Sequence, residues 1–240
     1  MSPLLGPRTS PRAGMAGSWV IIPTGSCEAH GPHLPLDTDV RISEEMAVRA
    51  ARIVGNAVVV PTLPYGVTHY AGAFPGTISV PPEVVIGTLV AIGDAAAAQG
   101  AVGIAIANSH FEPAHIDAIF EGVKLLKARL EIPVVFPNVA SRRYAARLGV
   151  EFASGACHAG AYESSMVLAM APELVDETAR AGLPEVPIDL AAAMRAGAHD
   201  FVGAGGTRAY FGAPAAATAA EGDGWLDVLA MILAEAIRAG

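Results

Sequence analysis

The sequence predicts a single α/β domain with a mostly parallel central sheet and helices on both faces. Short apolar runs alternate with amphipathic stretches of helical length along most of the 240 residues, which is typical of parallel strands joined by helical crossovers. A hydrophobic fraction of 52% with 16% charged residues supports a large core and excludes a disordered chain. The length suits one large domain, and no internal repeat divides it.

Four short apolar runs are predicted to be buried strands. Each is bounded by turn-forming residues, and none has the length of a helix. The runs are 18–23, 57–60, 102–107 and 132–136. A brief strand-like segment at 77–80 follows an aromatic, glycine-rich loop at 65–76.

Helical spacing of apolar residues predicts the connecting helices. The first follows Asp37 or Thr38 as its N-cap, and the second begins at Pro81 and ends before Gly100. The predicted helices are 39–54, 81–99, 114–130, a segment from 164 onward and 224–239. The longest predicted loops are 24–38, 153–161 and 182–215.

Residues 1–17 are predicted to be a disordered leader that precedes the domain at 18–240. The leader contains Pro, Gly, Ser and two Arg but no apolar run, so it lacks the core of a secretory signal, and Met15 is a candidate start. We therefore expect a cytoplasmic protein. Every apolar run is interrupted well short of the ~20 residues that span a bilayer, so we expect no membrane partner.

The charge balance argues against a nucleic-acid partner. Fifteen Lys and Arg against 23 Asp and Glu give a net charge of −8, whereas phosphate binding needs clustered basic residues. The two cysteines, Cys27 and Cys157, are too few for a disulfide framework. An apolar chain with few charges often covers surface in subunit contacts, so we expect a homo-oligomer.

Polar residues follow three of the predicted elements, in segments 28–39, 110–112 and 158–163. Because ligands of open α/β sheets bind at the carboxyl ends of the strands, we expect these segments to share one crevice. The first two contain a repeated pattern, an acid and a histidine two residues apart. The members are Glu28 with His30 and His110 with Glu112, and Asp39 adds a further carboxylate.

This residue mixture predicts a metal site. Three carboxylates and two imidazoles suit Zn or Mn better than a soft metal. Five such ligands, one of them a bridging carboxylate, are what two ions ~3.5–4 Å apart require. The alternative is that these side chains are ordinary loop residues with local hydrogen bonds.

Four motifs resemble the signatures of the creatininase family of metal-dependent amidohydrolases, in the family's order. They are PTGSCEAHGPHLPLDTD (23–39), FPGTIS (74–79), NSHFEPAH (108–115) and CHAGAYESS (157–165). The segment 210–214 is similar to a weaker C-terminal motif. The resemblance covers nearly the whole chain after the leader. It implies an α/β subunit, a homohexamer, and two divalent ions per subunit, Zn and/or Mn.

The resemblance also implies roles for individual residues. The expected metal ligands are Glu28, His30, Asp39, His110 and Glu112, with Asp39 as the bridging carboxylate. His158 matches the family's catalytic histidine, Glu163 matches an acid that supports the site, and Glu112 is expected to double as a proton acceptor.

Three further residues are candidates for substrate contact or for support of the ligands. They are His33, His69 and Phe111. For His33, a loop role with backbone hydrogen bonds is an equal alternative. His69 belongs to the aromatic loop before the second motif, where a plain loop role is the alternative.

The predicted function is hydrolysis of the C–N bond of a small amide by a dinuclear metal site, with a cyclic or short linear non-peptide substrate. Creatinine itself is disfavoured, because the creatinine-hydrolysing branch closes tryptophans over its substrate. The two tryptophans here, Trp19 and Trp225, lie far from His158 in sequence. Two alternatives stay open: a metallopeptidase-type relative that trims a modified peptide, and a non-catalytic metal-binding oligomer.

Overall fold

The computed structural model describes residues 2–240, and in this part of the chain four parallel strands form one sheet in the order β2-β1-β3-β4. The strands are β1 (Trp19–Thr24), β2 (Ala57–Val59), β3 (Gly103–Asn108) and β4 (Val134–Val135). β1 and β3 pair along their whole length, and their last residues, Thr24 and Asn108, lie opposite each other. The carboxyl ends of the two central strands therefore meet at one point.

Nine α-helices surround the sheet within residues 2–240. They are α1 (Thr38–Val54), α2 (Pro82–Ala98), α3 (Pro113–Arg129), α4 (Arg142–Ala145), α5 (Gly149–Ser154), α6 (Ala161–Met170), α7 (Glu177–Ala181), α8 (Leu190–Arg195) and α9 (Ala219–Ala239). Short 3₁₀ helices lie at Ser10–Arg12, Pro172–Leu174 and Pro214–Ala216. Among the described helices, none combines the length and the apolar character that crossing a membrane requires.

Helices cover both faces of the sheet, as predicted. Successive strand residues point to opposite faces, so Ile21 and Ala105 pack with α1, α6 and α9. Their neighbours Val20 and Ile104 pack with α2 and α3 on the other face. The strands are hence buried on both sides, which explains why they are continuous apolar runs rather than alternating ones.

Three boundaries differ from the prediction. The segment 77–80 is a loop with a single bridge from Ile78 to Cys27. α6 begins earlier than predicted, which puts Glu163 in its first turn. α9 also begins earlier, because the Thr218 hydroxyl caps it by accepting the backbone N–H of Glu221 at 3.3 Å.

Residues 2–17 pack against the sheet, which differs from the disordered leader that their composition suggests. Leu5 donates its backbone N–H to Val59 O (2.8 Å), and Val59 donates its own to Pro3 O (3.0 Å). β2 is an edge strand whose outer backbone groups need partners, and these two bonds supply them. Side chains contribute as well, since Met15 is buried and Leu4 and Leu5 pack against the two hydrophobic clusters. Met1 lies outside the described residues.

Close helix packing fixes α6 beside the sheet. α9 crosses α6 at Gly222, where a Cβ atom would overlap the carbonyl oxygen of Ser165. The Ser165 hydroxyl also accepts the backbone N–H of Thr218 at 3.0 Å. Since α6 carries Glu163, this contact anchors one of the predicted site residues.

Candidate metal centre

Buried carboxylates and imidazoles converge at the carboxyl ends of β1 and β3. Each of the five side chains concerned is at most 4% exposed. They are Glu28 and His30 from the loop after β1, Asp39 from α1, His110 from the segment after β3, and Glu163 from α6. Burying this many ionisable groups is costly unless they pair with one another or bind a metal.

Asp39 divides its two carboxylate oxygens between two groups of ligand atoms. Its Oδ2 lies 3.1 Å from Nδ1 of His110, which is 3.2 Å from Oε1 of Glu28. Its Oδ1 lies 3.4 Å from Nε2 of His30, which is 3.6 Å from Oε2 of Glu163. Within each group the three ligand atoms are within 4.8 Å of one another. We call Glu28, Asp39 and His110 the first group, and His30, Asp39 and Glu163 the second group.

Backbone carbonyls orient both imidazoles. Nε2 of His110 lies 2.8 Å from Val67 O, and Nδ1 of His30 lies 3.1 Å from Glu28 O. A ring nitrogen that faces a carbonyl oxygen carries a proton, so the other nitrogen of each ring is the one that a cation can bind once that nitrogen has lost its own proton. His30 Nε2 is buried and has no hydrogen-bond partner among residues 2–240. A divalent cation would satisfy this atom, so the donor set fits a metal.

Opposing effects set the protonation of the cluster. Burial would lower the pKa of His30, but the surrounding carboxylates, led by Asp39, outweigh it and raise that pKa to about 10. Burial likewise opposes the carboxylates at His110, whose pKa is raised well above its usual value. Burial raises the pKa of Glu163 to about 8. Protons and a divalent cation therefore compete for the same atoms.

Hydroxyl groups support the carboxylates of the first group. Ser26 donates its hydroxyl to Oδ2 of Asp39 at 2.8 Å, and Thr68 donates its hydroxyl to Oε2 of Glu28. Such bonds to ligand side chains fix their orientation. Neither hydroxyl was identified from the sequence. Ser26 lies inside the first motif, whereas Thr68 lies in the irregular loop before the second motif and carries no signal of its own.

His158 lies beside the two groups. Its Nδ1 is 3.8 Å from Oε1 of Glu28, and its Nε2 donates to Ala29 O at 3.0 Å. Its ring packs against Phe201, with the ring centroids 4.4 Å apart. Burial, with the nearby charge of His30, lowers the pKa of His158 to about 4. The ring is hence neutral and directs a lone pair at the cluster, within 4.8 Å of ligand atoms on Glu28 and His30.

A tight turn joins His158 to Glu163. Ala159 has φ = 50°, a left-handed conformation that costs free energy in a residue other than glycine. This conformation lets Ala159 donate its N–H to Oε2 of Glu163 at 2.7 Å. At Gly160, a Cβ atom would lie 2.6 Å from Phe211 O, so a side chain does not fit. The turn thereby directs both polar side chains into one cavity.

Glu112 is not among the ligand groups found within residues 2–240, which differs from the ligand role expected for it. Its Oε2 accepts the backbone N–H groups of His69 (2.7 Å) and Tyr70 (3.2 Å), and these bonds turn the carboxylate toward that loop. The His69 side chain is 61% exposed, with Nδ1 3.5 Å from Oε1 of Glu112. Burial raises the pKa of Glu112. Glu163, expected to support the site, lies instead in a group of side chains that could hold an ion.

His33 and Phe111 take different positions. His33 is buried, and its Nε2 lies 2.8 Å from the hydroxyl of Ser164. This bond ties the loop that carries His30 to α6, next to Glu163. Phe111 lines the cavity over the cluster. Of the two, Phe111 is thus placed for substrate contact and His33 for support of the second group.

Comparison with known proteins places this geometry in a family. The model of the creatininase family, described as creatinine amidohydrolase, matches residues 9–237. The chain belongs to the creatininase family. It is an amidohydrolase of that family, and the resemblance seen in its motifs is confirmed.

Known members of the family that resemble this chain differ in substrate. The mycofactocin precursor peptide peptidase of Mycolicibacterium smegmatis is 32% identical over 230 residues, 91% of this chain and 84% of that protein. The creatinine amidohydrolase of Pseudomonas putida is 31% identical over 183 residues, 67% of this chain and 68% of that protein. A solved mutant creatininase of the Zn-Zn type matches with a TM-score of 0.76 at 23% identity, over 100% of this chain and 98% of the other.

In this creatininase-family chain, a cavity opens onto the two groups. Its polar wall includes the first group, His158 and Glu112. Its apolar wall consists of Tyr70, Phe111, Leu190, Met194 and Phe201. The last three were missed in the sequence, because they belong to the stretch 182–215 that was predicted to be a loop and no pattern places it over the site.

Proposed function

We propose that the chain is a two-metal hydrolase that cleaves an amide C–N bond. The observation that carries the proposal is Asp39, which offers one oxygen to each of two buried groups. Asp39, Glu28 and His110 would hold one ion, and Asp39, His30 and Glu163 would hold the other. Carboxylate and imidazole ligands suit Zn or Mn, and the similarity to a creatininase of the Zn-Zn type supports two ions.

When bound, two such ions polarise an amide carbonyl and bring the ionisation of water toward neutral pH. Glu112 is positioned to accept the proton that water loses as its oxygen adds to the carbonyl carbon. The carboxylate lines the cavity, and the N–H groups of His69 and Tyr70 fix its orientation. Burial raises its pKa, which strengthens it as a base.

His158 is positioned to deliver a proton to the nitrogen as the C–N bond breaks. Its neutral ring presents Nδ1 toward the cluster, while the bond from Nε2 to Ala29 O holds the ring in place. Because its pKa is about 4, His158 is neutral at rest, so it must receive from Glu112 the proton that water released and then pass it to the leaving nitrogen. Proton balance is complete, since the nitrogen gains the proton that water lost.

The favoured substrate is an amide within a peptide or peptide-like molecule. Similarity to the peptidase extends over 91% of the chain, against 67% for creatinine amidohydrolase. Neither Trp19 nor Trp225 lines the cavity, so tryptophan closure over a planar ring is not available from the described residues. A small cyclic or linear amide is the second candidate, because the chain is also similar to a creatinine amidohydrolase.

Metal removal tests the proposed function. The chain loaded with Zn or Mn is assayed against acetylated short peptides, lactams and creatinine, with metal content measured by mass spectrometry. We expect two ions per chain, loss of hydrolysis when a chelator removes them, and recovery on adding either metal. Hydrolysis that persists in metal-free protein, or fully loaded protein that cleaves none of these amides, would contradict the proposal.

The role of His158 has its own test. His158→Ala should retain both ions and the fold yet lose on the order of 10²–10⁴ in kcat, the usual contribution of a positioned acid or base. His199→Ala, at an exposed position, is the matched control and should change none of these. If metal content and activity fall together in His158→Ala, His158 is a metal ligand instead. Normal turnover with both ions present would refute the proton transfer.

A further inference from the structure

A second, larger cavity adjoins the one over the metal groups. It is larger than the cavity over the metal groups. Four residues line both cavities, namely Phe111, Cys157, Leu190 and Met194. The two spaces are therefore neighbouring parts of one cleft. We call the second cavity the outer groove.

Two arginines from different helices line the outer groove. Arg142 belongs to α4 and Arg195 to α8, and both are exposed. Arg195 Nη2 lies 3.9 Å from Oδ2 of Asp189, a long ion pair. The other oxygen of Asp189 caps α8 by accepting the N–H of Ala192 at 2.8 Å. The arginine is thus only loosely neutralised.

Some other arginines of the chain are paired much more closely. Arg49 and Arg147 each contact a carboxylate at 2.7 Å, and Arg180 does so at 2.6 Å. Arg142 and Arg195 outnumber Asp189, the one acidic residue that also lines the outer groove, so the groove favours an anionic occupant. Guanidinium groups bind carboxylates by charge-assisted hydrogen bonds, often bidentate.

We infer that the substrate is a linear, peptide-like amide that carries a carboxylate, and that Arg142 and Arg195 bind this carboxylate in the outer groove while the amide lies over the metal groups. The inference rests on the proposed function and deepens it. The apolar residues shared by the two cavities would contact the stretch of substrate between the two ends. This carboxylate is either the C-terminus of the substrate or one of its acidic side chains.

Matched peptides test the inference. Acetylated peptides of two to four Leu and Ala residues are prepared as free acids and as C-terminal carboxamides, with a third set of carboxamides containing one Asp. Binding to the metal-loaded chain is measured by calorimetry, and hydrolysis is measured as kcat/KM. We expect at least one length at which a carboxylate-bearing peptide binds about tenfold or more tightly than the neutral carboxamide. The Asp set distinguishes a side-chain carboxylate from a terminal one.

Arginine variants complete the test. Arg142→Gln and Arg195→Gln should each lower the preference for the carboxylate several-fold and leave binding of the neutral carboxamide unchanged. Arg143→Gln is the matched control, because Arg143 neighbours Arg142 but lies over the Tyr144 ring, 5.2 Å from its centroid. Equal loss in the control, or no preference in the unmodified chain, would overturn the inference.

Different results would contradict the outer-groove inference and the proposed function. Hydrolysis of peptides without any preference for a carboxylate would overturn the outer-groove inference and leave the proposed function intact. A carboxylate preference in binding that disappears in Arg142→Gln and Arg195→Gln, with no amide hydrolysed, would support the groove and contradict the proposed function.

Discussion

The first and second groups share Asp39 but depend on different parts of the fold. Glu28 and His110 of the first group stand just beyond the paired ends of β1 and β3, where Thr24 lies opposite Asn108. The second group joins a loop residue, His30, to a residue of α6. The hydrogen-bonded sheet thus organises the first group directly, whereas long-range packing of α6 organises the second.

The supporting contacts differ in the same way. Ser26 and Thr68 hold carboxylates of the first group by side-chain hydroxyls. The second group depends on the turn at Ala159 and on the bond between His33 and Ser164. An ion at the second group should therefore be lost more easily, because its ligands are brought together only when α6 is in place.

The largest effect is expected from Asp39→Ala, because this substitution removes the residue common to both groups. Both ions should be lost, and kcat/KM should fall by about 10³ or more, since metal ions supply several kcal/mol to such reactions. Asp37→Ala is the control, because Asp37 is a partly exposed partner of Arg41. Mass spectrometry and the hydrolysis assay measure the result. Two ions retained in Asp39→Ala would contradict the bridging role.

Smaller effects are expected from Glu163→Gln and Glu112→Gln, which distinguish a ligand of the second group from the proposed base. Glu163→Gln should lose one ion per chain and retain the other, because it removes a ligand of the second group only. Glu112→Gln should retain both ions and lose about 10²–10⁴ in kcat through loss of the base. Metal content and turnover are measured on the same samples. One ion lost from Glu112→Gln, with two kept in Glu163→Gln, would restore the ligand set expected from the sequence.

A smaller effect is expected from Ser164→Ala, which removes the partner of His33. The second ion should bind about 10–100-fold more weakly, the usual effect of losing a contact that supports a ligand, and the first ion should bind as before. Ser154→Ala, an exposed serine on α5, is the control. Stepwise metal titration resolves the two affinities. Equal weakening of both ions would show that the groups are not supported independently.

The smallest expected effect is a rise in metal affinity with pH. In the metal-free chain His30 and Glu163 have pKa values of about 10 and about 8, both above their usual values, so both groups hold protons at neutral pH. A cation must displace them, and metal affinity should therefore rise with pH between about 6 and 8. Calorimetry in buffers of different ionisation enthalpy should show proton release. Affinity that falls with pH would contradict these pKa directions.

Much of the fold was predictable because each strand is buried on both faces and each crossover is helical. The runs that form β1 and β3, and the helices between them, follow from apolar periodicity. The docking of residues 2–17 could not be predicted, because it combines backbone bonds to an edge strand with isolated apolar side chains that form no periodic pattern. α8 was not predicted, and neither was the apolar wall that contains Leu190 and Phe201, since no periodic pattern marks that stretch.

Part of the candidate site was predictable from the order of the strands and helices. Glu28, His30, Asp39 and His110 follow strand ends or begin a helix, so the topology brings them together. Glu112 shares the spacing of a ligand pair with His110, but the N–H groups of the loop at 69–70 turn its carboxylate aside. Spacing along the chain cannot reveal that orientation, nor the turn that directs Glu163 to His30.

Anomalous diffraction from crystals of the chain loaded with Mn or Zn is a direct test of the bridging role of Asp39, because it locates each ion relative to that residue. We predict two peaks about 3.5–4 Å apart, one next to each carboxylate oxygen of Asp39, with Glu163 and not Glu112 as a ligand. A single peak, or two peaks of which only one contacts Asp39, would contradict a metal centre built around that residue.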